Sequence, residues 1–177
     1  MLREMGSSSL VWIRRDLRLT DHAALAEATA TSDRVAVVFV FDRKILDELQ
    51  DRDDRRLTFI HQSLCEVDER LRAQGSRLIV LDGDPVDLIP ALVRRLGVDH
   101  LLFNGDVEPY ALIRDGEIRR RVPQAVVRKD HVVFARREVV SQAGEPFKVY
   151  TPYSKAWKAR LTEADWAEKS VTDGRFW

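Results

Sequence analysis

Residues 34–42 read Arg-Val-Ala-Val-Val-Phe-Val-Phe-Asp, a run of valine and phenylalanine closed by a charge at each end, and they read as a strand. Working towards the N-terminus, AALAEATA (residues 23–30) is a short helix that Thr20 or Asp21 would cap, and SLVWIR (residues 9–14) is a second, buried strand. On the other side, residues 43–53 are polar and acidic, a loop with room for one helical turn. Leu57, Ile60, Leu64, Val67 and Leu71 then recur at steps of three and four, the apolar stripe of an amphipathic helix that Gly75 would close.

The alternation continues. RLIVLDG (residues 77–83) is a third strand, and Asp84-Pro85 starts a helix with an acceptor at the N-cap and proline at the first helical position. Leu88, Leu92 and Leu96 carry that helix to Gly97. VDHLLFN (residues 98–104) is a fourth strand, Pro109 to Val122 a helix, and AVVRK (residues 125–129) a fifth strand. Strands separated by helices of this length pair in parallel through right-handed crossovers. The expected fold is α/β: a doubly wound, five-stranded parallel sheet, Rossmann-like or flavodoxin-like, in three α/β/α layers over residues 1–130. From residue 131 to 177 the pattern loosens into a terminal β run around Ala143-Gly144, a helix over Tyr153–Leu161 and a linker segment. Tyr150, Tyr153, Trp157, Trp166, Phe176 and Trp177 crowd this tail, so it must either fold back on the domain or bury against a partner.

The 177 residues hold 29 basic and 29 acidic side chains, a single cysteine and no apolar run near the roughly 20 residues of a membrane span. One cysteine excludes a disulfide framework or a cysteine-cluster metal site. Met1–Ser9 lacks a signal-peptide core, so the expected compartment is the cytoplasm. The zero net charge conceals an acidic first part and a basic block over residues 111–160, where Arg114, Arg119, Arg120 and Arg121 share one helix. That block suits either a polyanion or a solvated helix face. Zero net charge also argues against a chain that coats nucleic acid by itself.

Open α/β sheets bind ligands at the carboxyl ends of their strands. No GxGxxG or GxxxxGK[ST] follows a strand, which removes the two commonest backbone phosphate cradles, and neither GxSxG nor HExxH occurs. His22, His61, His100 and His131 are scattered without ligand-spaced partners and read as structural, as does Cys65. Two clusters remain. Arg14, Arg15, Asp16 and Arg18 follow the first strand, either as planar donors for an anionic or polar ring or as an Arg–Asp lattice locking the turn. Asn104, Asp106 and Glu108 follow the fourth, either as acceptors for the N–H groups of a heterocycle or as caps for the helix at Pro109.

Three ordered stretches carry a resemblance. Trp12-Ile13-Arg14-Arg15-Asp16-Leu17-Arg18-Leu19-Thr20-Asp21, Asn104-Gly105-Asp106-Val107-Glu108-Pro109-Tyr110-Ala111 with Arg114-Asp115, and Gly144-Glu145-Pro146-Phe147-Lys148-Val149-Tyr150-Thr151-Pro152-Tyr153 are similar to segments of the DNA photolyase/cryptochrome family. The overall form is most like class I cyclobutane pyrimidine dimer photolyases. The resemblance covers about Leu10 to Leu161 and implies the N-terminal α/β domain, which in that family holds a light-harvesting antenna chromophore. It further implies a longer helical domain that binds FAD and the damaged DNA and performs the light-driven repair. That domain would more than double this length, so the chain alone is expected to have no catalytic residues and no repair activity.

For the antenna site the resemblance carries over Arg15 as a polar contact, Asp106 and Glu108 as hydrogen-bond acceptors, and Phe39 and Val40 as apolar walls. The Asp-x-Glu-Pro-Tyr form favours a deazaflavin, with methenyltetrahydrofolate, FMN or FAD as the other family choices; no metal is implied. The implied partners are the helical FAD domain, reached through the aromatic tail, and DNA only through that domain, with self-association through an exposed tail as a further expectation and no membrane contact. The alternatives are a cryptochrome-like signalling module that binds a partner protein, and an independent flavin- or nucleotide-binding domain.

Overall fold

The computed structural model describes residues 6–51, 53–135 and 137–177. Most of the Met1–Ser9 stretch read above for a leader lies outside them. Five strands, β1 (Ser8–Ile13), β2 (Arg34–Asp42), β3 (Leu78–Gly83), β4 (His100–Asn104) and β5 (Ala125–Arg128), form one sheet in the order β3-β2-β1-β4-β5, with every pairing parallel. This is the Rossmann order over its first five strands and not the flavodoxin order. The chain direction across the sheet reverses between β1 and β4, so the crevice for a ligand opens where these two strands end.

Helices α1 (Ala23–Thr31) and α3 (Arg55–Ala73) cover one face, while α4 (Pro85–Leu96) and α5 (Pro109–Arg121) cover the other. The pleat sorts β1 accordingly: Val11 and Ile13 join Leu25, Leu64 and Leu71 on the first face, and Leu10 and Trp12 join Ile89, Phe103 and Ile118 on the second. Trp12 is a core residue, as its apolar neighbours implied. A four-residue helix, α2 (Arg43–Leu46), occupies the polar stretch after β2.

The punctuation follows local chemistry. Gly75 (φ 79°) ends α3 in a Schellman motif, its N–H reaching the Arg72 carbonyl while that of Ser76 reaches Leu71. Asp84 caps α4 through the Val86 N–H at 2.9 Å. Pro90 lies inside α4 and has no N–H for the Val86 carbonyl one turn earlier; Arg121 of α5 supplies the donor instead, at 2.9 Å. The cap of α1 differs from expectation. Asp21 takes a left-handed turn conformation (φ 47°), and His22 is the cap, its Nδ1 accepting the Leu25 N–H at 3.1 Å.

The expected β run of the tail is absent: among the described residues between β5 and Tyr150 there is no strand. Ser141–Glu145 closes a single turn with Gly144 at φ 76°. A helix, α6 (Tyr150–Arg160), follows, starting three residues before the expected Tyr153; it buries no residue and packs only through contacts such as Trp157 against Phe134 and Tyr153 against Phe147. The last residues return to the domain. Phe176 is buried in the α1/α3 core and forms a parallel bridge with Val35, whose N–H meets the Arg175 carbonyl at 2.7 Å. Trp177 lies under the Arg34 guanidinium, 4.7 Å away. The tail is therefore divided: its end has a surface on this domain, whereas Tyr150 and Trp166 remain exposed.

No described helix is long and apolar enough to cross a membrane, and among the described residues no cluster of His, Cys, Asp and Glu could hold a metal ion.

Candidate functional site

The ends of β1 and β4 converge on a cleft of about 200 Å³ lined by Arg14, Arg15, Asp16, Asn104, Asp106 and His131 among others. Its floor is a buried polar lattice. Arg14, nearly enclosed, donates through one guanidinium nitrogen to both Asp115 carboxylate oxygens at 2.7 Å and through another to the Asn104 carbonyl. Its guanidinium lies over Trp12 and Phe103, at 4.7 and 5.0 Å from the ring centres. Arg114 of α5 extends the lattice, joining Asp115 at 3.1 Å and Asp42 at the end of β2 at 3.3 Å. Tyr110 donates to the same Asp42 at 2.8 Å, and burial followed by that carboxylate pushes its phenol well above the ordinary value.

Asp16 ties the two strand ends together. Its carboxylate accepts from the Arg14 N–H at 2.7 Å, the Asn104 Nδ2 at 2.7 Å and the His22 Nε2 at 2.8 Å. Because His22 Nδ1 accepts the Leu25 N–H, its ring proton is assigned to Nε2. Burial works to raise the Asp16 pKa, but His22 and the backbone donor outweigh it and hold the carboxyl well below the usual range. Asn104 Oδ1 accepts the Ala24 N–H at 3.0 Å, which anchors α1 to β4. The lattice that the Arg-rich turn suggested thus exists, with Arg14 and Asp16 as its members.

Arg15 behaves differently. Its side chain is 69% exposed and reaches Asp106 Oδ1 at 3.4 Å across the cleft mouth. The Asp106 side chain is only 8% exposed. Burial acts to raise its pKa, yet the N–H groups of Glu108 (3.1 Å) and Val107 (2.7 Å), with Arg15 nearby, keep it below the ordinary carboxylate value. It is a fixed, ionised acceptor facing a polar cleft. Those bonds fold the loop; neither carboxylate caps α5 by its side chain, and Glu108, at the N-cap position, is exposed and makes no cap bond.

The expected apolar walls are elsewhere. Phe39 and Val40 are both buried, and adjacent strand residues point to opposite faces: Phe39 joins the α1/α3 core and Val40 the α4/α5 core. Neither faces the cleft. Apolar surface beside Arg14 and Arg15 comes instead from Leu17, Phe59 and Ile60, which line an open recess of about 430 Å³ sharing both arginines with the cleft. Phe59 is 66% exposed. The one signal for it in the sequence is an aromatic residue standing outside the 57-60-64-67-71 stripe of its own helix. Arg15, Phe59 and Asp106 together suit a flat heterocycle, with π-surface for the ring, an anion for its N–H edge and a guanidinium for its carbonyls.

Comparison with known proteins shows the family and the fold. The family model described as DNA photolyase matches residues 9–170. A deoxyribodipyrimidine photo-lyase of Synechococcus sp. is 36% identical over 160 residues, covering 88% of this chain and 33% of the relative. Among solved structures, a class III photolyase from Agrobacterium tumefaciens superposes with a TM-score of 0.76 at 24% identity, over 97% of this chain and 36% of its own, and shares the fold. An archaeal photolyase from Sulfolobus tokodaii, described with two FAD molecules, gives 0.70 at 25% identity over 96% and 38%. The chain spans about a third of the length of the relatives it matches.

Proposed function

We propose that this chain, which belongs to the DNA photolyase family, is the light-harvesting domain of a deoxyribodipyrimidine photolyase. The observation that carries the proposal is Asp106. A carboxylate almost enclosed at the switch point of the sheet, kept ionised by backbone donors and flanked by Arg15, is an acceptor prepared for the N–H edge of a ring.

A flavin or deazaflavin ring fits this donor set. Bound there, it would absorb near-ultraviolet or blue light and pass on the excitation energy. The residues of this chain hold and orient it: Asp106 accepts from the ring edge, Arg15 closes over the mouth, and Phe59 with Leu17 and Ile60 offers the face. Asp16, Asn104 and Arg14 form the floor beneath it and fix the two loops whose ends make the cleft. On the same reading the exposed face of α6, with Val149 and Tyr150, docks on a helical FAD domain, and damaged DNA is engaged through that domain.

The test is binding of the ring itself. Titrating the chain with riboflavin or a deazaflavin and following ring fluorescence should give a saturable site that Asp106→Ala abolishes. No saturable binding of any such ring at micromolar concentration would reject the light-harvesting role for this chain.

A further inference from the structure

The indole of Trp12 is 1% exposed, and its Nε1 is the one buried side-chain polar atom without a hydrogen-bond partner among the described residues. A donor buried unpaired is costly, so a core keeps one only where other contacts hold the ring. Here two cations and an aromatic hold it. The Arg14 and Arg114 guanidiniums lie over the indole at 4.7 and 4.8 Å, and Phe103 meets it edge-on at 5.5 Å. The carboxylates that balance these arginines, Asp115 and Asp42, bond the guanidinium nitrogens. The charged groups stacked on the indole are both positive.

These surroundings bear on one kind of chemistry, oxidation of the indole. Loss of an electron turns the ring into a radical cation. Guanidiniums that are attracted to the π-face of a neutral ring repel a positive one. Burial withholds the water that would solvate the new charge. An indole radical cation is relieved by releasing its Nε1 proton, and no acceptor stands at Nε1 to take it. All three features oppose oxidation of Trp12.

The position of Trp12 makes that resistance useful. Arg14 lines both the cleft and the Phe59 recess, so the indole lies one guanidinium away from the space a light-absorbing ring would fill. An excited flavin or deazaflavin is a strong oxidant, and a nearby indole quenches it. One electron passes from the indole to the ring, oxidising the one and reducing the other, and its return dissipates the energy. Tyr110, another oxidisable side chain of the lattice, lines a different cavity. Resting on the reading of the cleft as a ring site, we propose that Arg14 and Arg114 hold Trp12 redox-silent, so that light absorbed in the cleft is not lost to electron transfer inside the domain. Arg114 does not line the cleft; it is a positioning residue that acts through Trp12.

The test is the excited-state lifetime of riboflavin bound to the full 177-residue chain, in a Trp166→Phe background that removes the exposed indole of the neighbouring cavity. Trp12→Phe should leave this lifetime unchanged. Arg114→Met should shorten it about threefold or more, since a cation 4.8 Å from the ring acts where Coulomb energies amount to several RT. Transient absorption should then show the indole radical. Adding Trp12→Phe to Arg114→Met should restore the lifetime, which a merely structural effect of Arg114 would not do. In Arg114→Met the Asp115 carboxylate keeps Arg14 and Asp42 keeps Tyr110, and melting curves verify the fold. Riboflavin that is quenched in the Trp166→Phe parent and recovers with Trp12→Phe overturns the proposal, leaves the ring reading standing and needs no change in the lattice. An Arg114→Met protein that folds, binds riboflavin and keeps the full lifetime overturns it equally. No binding of riboflavin or a deazaflavin at micromolar concentration rejects the ring reading, and this proposal with it.

Discussion

His22 Nε2 stands 2.8 Å from Asp16 Oδ2, while the opposite nitrogen of the same imidazole caps α1. One side chain therefore fastens the start of a helix to the turn after the central strand. Removing the acceptor charge should cost about 2 kcal/mol, the worth of a buried hydrogen bond to a charged group. For a domain of this size that is roughly 4–8 °C in Tm.

The pH dependence has a definite sign. The folded pKa of Asp16 is depressed, so its contribution is present above the unfolded value of about 4 and is lost as pH falls below it. Asp16→Asn should melt lower than the parent at pH 7, and the gap should narrow between about pH 4 and pH 2. Thermal melts across that range check this; a gap that widens in acid contradicts it.

Phe39 and Phe59 separate core from site. Phe39→Ala removes a buried aromatic and should cost about 3–5 kcal/mol. Phe59→Ala should leave stability within about 0.5 kcal/mol, since most of that ring is in solvent, and weaken ring binding about tenfold. Denaturant melts and a flavin titration on the same two proteins read both effects.

Phe176 should behave as a core residue despite standing next to the last position. Phe176→Ala is expected to cost about 3–4 kcal/mol. Urea denaturation tests it, and a change below about 1 kcal/mol would mean that the buried Phe176 ring contributes little to the α1/α3 core.

The Arg121 contact to Val86 predicts a coupling. Arg121→Ala should cost about 1–2 kcal/mol by leaving a helix carbonyl without a donor. In a Pro90→Ala background the backbone N–H returns, and the same substitution should cost about 1 kcal/mol less. A double-mutant cycle of urea midpoints measures the difference.

The alternation of strands and helices was legible because each strand is a buried apolar run and the main helices carry their own punctuation, as at Asp84-Pro85, Gly75 and Gly97. Strand order was not, since crossovers of similar length serve either doubly wound arrangement. Everything that depends on the order was hidden with it. His22 looked like an isolated histidine because Asn104 reaches it only once β4 lies beside β1, and Asp16 only through the fold of the turn after β1. Arg15 and Asp106 could be read because both follow strand ends, which the fold class alone brings to one edge. Phe39 and Val40 could not share one wall, because the pleat of β2 sends neighbours to opposite layers. The pairing of Phe176 with Val35 joins residues 141 apart, and the one hint of it was an apolar residue in a polar tail.

The closing bridge at Val35 also sets a distance. Val35 lies level with Ser9 at the start of β1, whereas the cleft lies at the finishing edge of the sheet, so Trp177 and the ring site are separated by roughly 20 Å of strand. A dye attached at the C-terminus would stand clear of the cleft yet within range for resonance transfer. Occupancy could then be followed as donor quenching, with the sheet serving as a rigid molecular ruler.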